Sequence, residues 1–184
     1  MANEYKKTMN LPKTGFPMRA SLAQNEPKRL AQWDEDKLYE QLLKKNEGHE
    51  KFVLHDGPPY ANGPIHLGHA QNKISKDIIN RYWSMRGYQT PYVPGWDCHG
   101  QPIEHKVEET LGTEKFNQLP TVKIRELCRK MAVEQVDTQR QGFKRLGVLG
   151  EWDNPYLTYV HDYDATDVEI FKAIFDKGAI YRGR

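Results

Sequence analysis

Apolar positions first recur at helical spacing from Glu26 onward. Leu30, Trp33, Leu38, Leu42 and Leu43 recur at helix-like spacing, and Asn46 with Gly48 ends the run. Phe52-Val53-Leu54 is a short apolar run of the buried-strand kind. A helix from His66 to Arg86 follows, with Ile74, Ile78, Ile79 and Tyr82 as its apolar stripe and Gly87 as its stop. Tyr88 to Val93 predicts a second strand. After Pro102 the pattern gives a short charged helix to Leu111, then a long helix over Thr121–Leu146. The long helix carries Ile124, Leu127, Cys128, Met131, Val136, Phe143 and Leu146. Glu151 to Val160 reads as loop with a possible strand. A last helix over Asp162–Lys177 carries Val168, Ile170, Phe171, Ile174 and Phe175, and a strand begins at Ala179. The polar residues Met1 to Asn25, with Pro12, Gly15 and Pro17, read as an extended arm.

The order strand, loop, helix, strand makes parallel neighbours joined by a right-handed crossover. Ligands in such sheets bind beyond the carboxyl ends of the strands. The loops Asp56–His69 and Pro94–Gly100 both fall there, so they are expected to converge. The fold class is therefore α/β, with an incomplete parallel sheet and an amino-terminal helical extension. The division falls at residues 1–50 and 51–184. So small a sheet is expected to leave an open edge and uncovered apolar faces.

Composition narrows this picture only a little. Apolar residues make up 38% and charged residues 28%, which suits a soluble chain with one core. A net charge of +2 is too small to argue for nucleic acid by itself. The two cysteines, Cys98 and Cys128, form no CxxC pair, and no apolar run is long enough to span a bilayer. Met1 to Lys7 lacks an apolar signal core, so a cytoplasmic setting is expected.

Chemistry concentrates in the loop from His55 to Ala70. A glycine- and proline-rich turn between a strand and a helix start suits a phosphate. His66 and His69 lie three apart, on one helical face, and each imidazole can donate a hydrogen bond in either neutral tautomer. Gly68 leaves open space between them. Cys98, His99 and His105, with His55 nearby, match no tetrahedral ligand spacing, so no metal is expected in this segment. Lys73, Lys76, Arg81 and Arg86 read as a solvated helix face, with a phosphate backbone as the rival partner.

Gly57-Pro58-Pro59-Tyr60-Ala61-Asn62-Gly63 ahead of His66-Leu67-Gly68-His69 resembles the His-x-Gly-His signature of the class I aminoacyl-tRNA synthetases. The run Gly95 to Glu104 is similar to a segment of that family's isoleucine-specific members. So are Lys144 to Val148 and Trp152 to Tyr156. The similarity extends from about Leu11 to Arg184. It implies the first half of a Rossmann-like catalytic domain that activates isoleucine with ATP, brought in with Mg²⁺, and passes it to tRNA. By the family pattern His66 and His69 are catalytic, and Pro59, His66, Gly68, His69 and Asn72 contact ATP. Gly57, Pro58, Trp96 and Asp97 contact the amino acid, Asp97 through its ammonium group. A monomeric full-length enzyme is also implied.

Two departures stand out. Gln101 occupies a position where the family often has Leu. The family's Lys-Met-Ser-Lys-Ser loop, editing insertion and anticodon-binding region do not occur in these residues. The resemblance therefore implies the amino-terminal segment of a longer ligase, ending near the editing insertion, with weak or absent aminoacylation alone. The alternatives are a short cytidylyltransferase, which lacks the Gly-Trp-Asp segment, and a stand-alone nucleotide- or tRNA-binding paralogue without catalysis.

Overall fold

Seven helices and a two-stranded parallel sheet make up the computed structural model, which describes Thr8, Gly15, Pro17 and residues 19–183. Most of the expected amino-terminal arm lies outside the described residues. The first helix, α1, starts at Leu22, inside that arm, and runs to Glu35; α2 covers Leu38–Lys45. One continuous helix was expected here. The break falls where Asp34, Glu35 and Asp36 crowd the negative helix end, and Lys37 turns to φ 50°.

Helix α3, Leu67–Met85, follows the signature loop. Strand β1 is Gly95–Trp96, and α4 (Gln101–Leu111), a short unforeseen α5 (Thr113–Gln118) and α6 (Thr121–Arg145) follow. Strand β2 is Tyr156–Leu157 and α7 is His161–Asp176. The chain is α/β, as expected, but its strands are much shorter than the apolar runs suggested. Lys51 pairs with Gln89 and Tyr60 with Asp97 only as isolated parallel bridges, and β1 pairs with β2 as Gly95↔Tyr156 and Trp96↔Leu157. Proline explains the shortfall, because Pro58, Pro59, Pro91 and Pro94 offer no N–H to a ladder. Between them the Tyr39 hydroxyl substitutes for a strand: it accepts from Tyr92 N–H at 2.9 Å and donates to the Tyr92 carbonyl at 3.2 Å.

The core lies between α4, α6 and β1. Helix α6 contributes Cys128, Ala132, Val136, Gln139 and Phe143, spaced by three and four, and α4 answers with Ile103 and Val107. Trp96, Phe143 and Trp152 form an aromatic triangle with centroids 6.0–6.5 Å apart. Gly95 lets this corner close: a Cβ there would stand 2.1 Å from the Tyr156 ring.

The apolar stripe of α3 does not face this core. Ile74, Ile78, Ile79 and Tyr82 are exposed, and the buried positions are Lys73 and Asn80. Val168, Ile170, Phe171, Ile174 and Phe175 of α7 are exposed as well, matching the uncovered apolar faces expected of so small a sheet. Among the described residues no helix is long and apolar enough to cross a membrane.

Candidate functional site

The two loops do converge. Asp97 N–H donates to the Pro59 carbonyl and Ala61 N–H to the Asp97 carbonyl, both at 2.9 Å. These bonds fix Pro59 and the following turn against the end of β1. Gly57 is exposed, while Pro58 and Pro59 are half-buried.

His66 is the N-cap of α3, with extended backbone at φ −123° and ψ 177°. Its Nδ1 accepts from the N–H groups of Gly68 at 3.1 Å and His69 at 3.4 Å. In return His69 Nδ1 accepts from His66 N–H at 3.2 Å, completing a capping box made of two imidazoles. The rings stack with centroids 3.8 Å apart and planes 24° apart. Because each Nδ1 accepts, both neutral rings carry their proton on Nε2. Sequence reasoning left the tautomer open, and the capping decides it. The cap also occupies two of the helix-end N–H groups that would otherwise meet an anion, so donor capacity passes to the two Nε2–H groups.

Gly68 has a more specific duty than open space. A Cβ there would meet His66 Cε1 at 3.0 Å and Nδ1 at 3.2 Å, so the glycine makes room for the capping ring. His69 is half-buried, edge-on to Phe143 at 6.3 Å. Its pKa lies below the ordinary 6.5, through burial first and then the charges of His66 and Lys73. Asn72 is exposed one turn further along α3.

Asp97 keeps its carboxylate about one-third exposed, with Oδ1 accepting from Thr158 Oγ1 at 3.4 Å and His99 Nδ1 4.0 Å away. Trp96 is fully buried. Its indole N–H donates to Gln139 Oε1 at 3.0 Å, so it supports the site from beneath. Gln139 Nε2 donates to the carbonyls of Tyr60 at 2.9 Å and Gly63 at 2.7 Å, tying the signature loop to α6.

Lys73 and Lys76 were expected on a solvated face, but both turn inward. Lys73 is buried against Asp56, and Lys76 is mostly buried against the same carboxylate. A cation on the inner face of α3 is tolerated because an anion is already buried opposite it. Arg81 is likewise engaged, with Asp77 at 2.6 Å and the Gly147 carbonyl at 2.7 Å, while Arg86 remains exposed.

Cys98 is buried and its thiol is pushed up to about 11, chiefly by that burial, which opposes the thiolate a metal would need. His99 Nε2 donates to the Thr158 carbonyl at 3.0 Å, and His105 stands beside Glu108 and Glu109. Among the described residues no group of three or more His, Cys, Asp or Glu is placed to hold a metal. A cavity of about 640 Å³ lies elsewhere, between α1, α2 and the Gly147–Asp153 loop. It contains none of the expected site residues, and its Lys144 pairs with its own Asp34 at 3.6 Å.

Three residues of this arrangement were not foreseen: Asp56, Thr158 and Gln139. Gln139 left a signal, as the one amide in the buried register of α6.

The chain is 52% identical over 180 residues to an isoleucine–tRNA ligase of Caldicellulosiruptor saccharolyticus, matching 98% of this chain and 20% of that relative. It is 55% identical over 179 residues to the Limosilactobacillus fermentum isoleucine–tRNA ligase, covering 97% of this chain and 19% of the relative. The chain thus spans about a fifth of the length of these relatives. A solved LeuRS chain from Agrobacterium radiobacter, in a ternary complex with tRNA and LeuAMS, superposes with a TM-score of 0.69. It covers 90% of this chain and 19% of its own, at 23% identity, and so speaks for the fold. Residues 28–184 match the family of class I tRNA synthetases (I, L, M and V), and the chain belongs to that family.

Proposed function

We propose that this chain is the amino-terminal part of an isoleucine–tRNA ligase. Residues 1–50 are its helical extension and 51–184 the first half of its catalytic domain. The observation that carries the reading is the His66/His69 pair, capped through both Nδ1 atoms and presenting two Nε2–H donors side by side. The names of the relatives support the choice of isoleucine.

In the first step a carboxylate oxygen of isoleucine attacks the α-phosphorus of MgATP. The new P–O bond forms as the bond to the bridging oxygen breaks, and pyrophosphate leaves with that electron pair. Negative charge gathers on the phosphoryl oxygens during this exchange. The Nε2–H groups of His66 and His69 donate to them, and their orientation is fixed before substrate arrives. Pro59, Gly68 and Asn72 line the ATP side. Asp97 takes the substrate ammonium, helped by the carbonyls of Gly57 and Pro58, while Trp96 holds that floor from below. In the second step a tRNA hydroxyl attacks the isoleucyl carbonyl carbon, the new ester bond forms as the anhydride C–O bond breaks, and AMP leaves with that electron pair.

The test is isoleucine-dependent exchange of pyrophosphate into ATP by the full-length chain that carries this segment. Exchange is expected. Its absence, with nucleotide or tRNA still bound, would favour the non-catalytic paralogue. The 184-residue chain alone is expected to charge tRNA weakly or not at all, and robust charging by it would overturn the segment reading.

The histidine pair also sets a pH dependence. Protonating His69 would turn its Nδ1 from acceptor to donor and break the bond from His66 N–H. The folded chain therefore binds this proton less tightly than the unfolded chain, in keeping with the lowered pKa. The contribution is fully present above the ordinary 6.5 and is lost as pH falls below it towards the depressed folded value. The acid limb of kcat/KM for exchange is expected to bend below 6.5. A bend above that value, lost on His69→Asn, would contradict a neutral capped ring.

A further inference from the structure

Asp56 is 1% exposed, at the junction between the extended 51–54 segment and the Gly57–Pro58 turn. Its Oδ2 accepts from Lys73 Nζ and, at 2.8 Å, from the Tyr92 hydroxyl, while Oδ1 accepts from Lys76 Nζ. Lys73 Nζ also donates to the Tyr92 oxygen at 3.0 Å. The backbone of Asp56 is held too, since its carbonyl accepts from Tyr156 OH at 2.9 Å. One residue thus ties together the signature loop, α3, the Tyr92 segment and β2.

The placement of this cluster is what gives it consequence. Asp56 immediately precedes Gly57 and Pro58, the carbonyls assigned to the amino acid. Lys73 lies four residues after His69, on the same face of α3. Its Nζ sits 5.1 Å from the Phe143 ring centre, and the edge of His69 meets that same ring. Burial works against both charges. It draws Lys73 below its ordinary 10.5 even with Asp56 beside it, and it would raise Asp56. The direction for Asp56 is nonetheless downward, because the carboxylate faces two ammonium groups and a phenol. The carboxylate is thus held between two lysines and a phenol in one buried polar network. Such networks add little stability over apolar packing, but removing one member leaves a buried charge without its partner, so each member holds the others in place.

We infer that Asp56, Lys73 and Lys76 are positioning residues that hold the Gly57–Pro58 turn at a fixed distance and angle from the His66/His69 helix start. The amino-acid and ATP halves of the site are thereby registered before either substrate binds. This rests on the proposed ligase reading. A carboxylate oxygen must meet phosphorus in line, and a misplacement of about 1 Å costs about a hundredfold in rate.

The experiment uses the full-length ligase, with kcat expressed per active site counted from the burst of adenylate, so that unfolded molecules do not enter the rate. Lys73→Met removes the charge at similar volume and is expected to lower kcat by about 10- to 100-fold, with KM for ATP changing less than about threefold. Lys73→Arg keeps a cation against Asp56 and is expected to recover most of that loss. Lys76→Met, at the half-open end of the cluster, is expected to fall about 3- to 10-fold and serves where Lys73→Met does not fold. A kcat per active site unchanged in Lys76→Met and in any folded Lys73 variant would overturn the inference, even with a lowered unfolding midpoint. A wild-type enzyme without isoleucine-dependent exchange would instead refute the ligase reading, so the two failures are distinguishable.

Discussion

Replacing His69 by alanine in the full-length enzyme is expected to slow adenylate formation by about 100- to 1,000-fold while changing isoleucine affinity little. The Nε2–H of His69 is a preorganised donor, and its bond strengthens only as charge gathers on the phosphoryl group. Removing one such donor costs roughly 3 kcal/mol of transition-state stabilisation. Pre-steady-state adenylate formation, set against equilibrium isoleucine binding, reads the split. An equal loss in both would assign His69 to ground-state binding.

His66 needs a second variant, because its ring both caps α3 and presents a donor. His66→Ala removes both functions, and loss of the cap alone costs about 1 kcal/mol. His66→Asn separates them. Asparagine is a good N-cap whose side-chain oxygen can take over the Gly68 and His69 N–H groups, but it is too short to place a donor where Nε2–H stands. His66→Asn is expected to keep the unfolding midpoint near wild type and still lose rate as His69→Ala does. A slow enzyme for His66→Ala together with wild-type speed for His66→Asn would make the ring a cap and nothing more.

Helix periods carried most of what the sequence revealed. Helices α3, α4, α6 and α7 begin and end within a residue or two of the positions their apolar spacing and glycine stops mark. The convergence of the two loops was legible because parallel crossovers put strand ends on one side. Strand length was not: Phe52–Leu54 and Tyr88–Val93 have the right composition, but their neighbouring prolines remove the donors a ladder requires. The inward face of α3 was misread for a related reason. Spacing alone assigned it to Ile74, Ile78 and Ile79, whereas partner charge decided it, since Lys73 turns in to meet Asp56. A buried ion pair joins positions 17 residues apart through the fold, and no local pattern announces it.

Gln139→Leu is expected to destabilise the protein by about 2–4 kcal/mol, although leucine matches the volume and apolar company of the site. Gln139 is fully buried, and its amide is used at both ends. Its oxygen accepts the Trp96 indole proton in a pocket without exposure, and its nitrogen meets two loop carbonyls. Leucine would strand that indole N–H outright, which costs about 1–3 kcal/mol, and would release the Tyr60 and Gly63 carbonyls to whatever water reaches them. Chemical denaturation of the full-length chain, followed through the tryptophans, measures the loss. The variant reports on function as well. Tyr60 and Gly63 bracket the turn between the Pro59–Asp97 contact and the His66 cap, so freeing their carbonyls loosens the loop from α6. KM for ATP is therefore expected to rise along with the drop in stability. Gln139→Glu is the sharper control. It preserves the acceptor for Trp96 while removing both donors to the loop, and it is expected to harm ATP binding at least as much as leucine does. If Gln139→Glu bound ATP normally while Gln139→Leu did not, the staple would run to Trp96 alone, and the loop would hold its shape through the Pro59–Asp97 and Ala61–Asp97 hydrogen bonds.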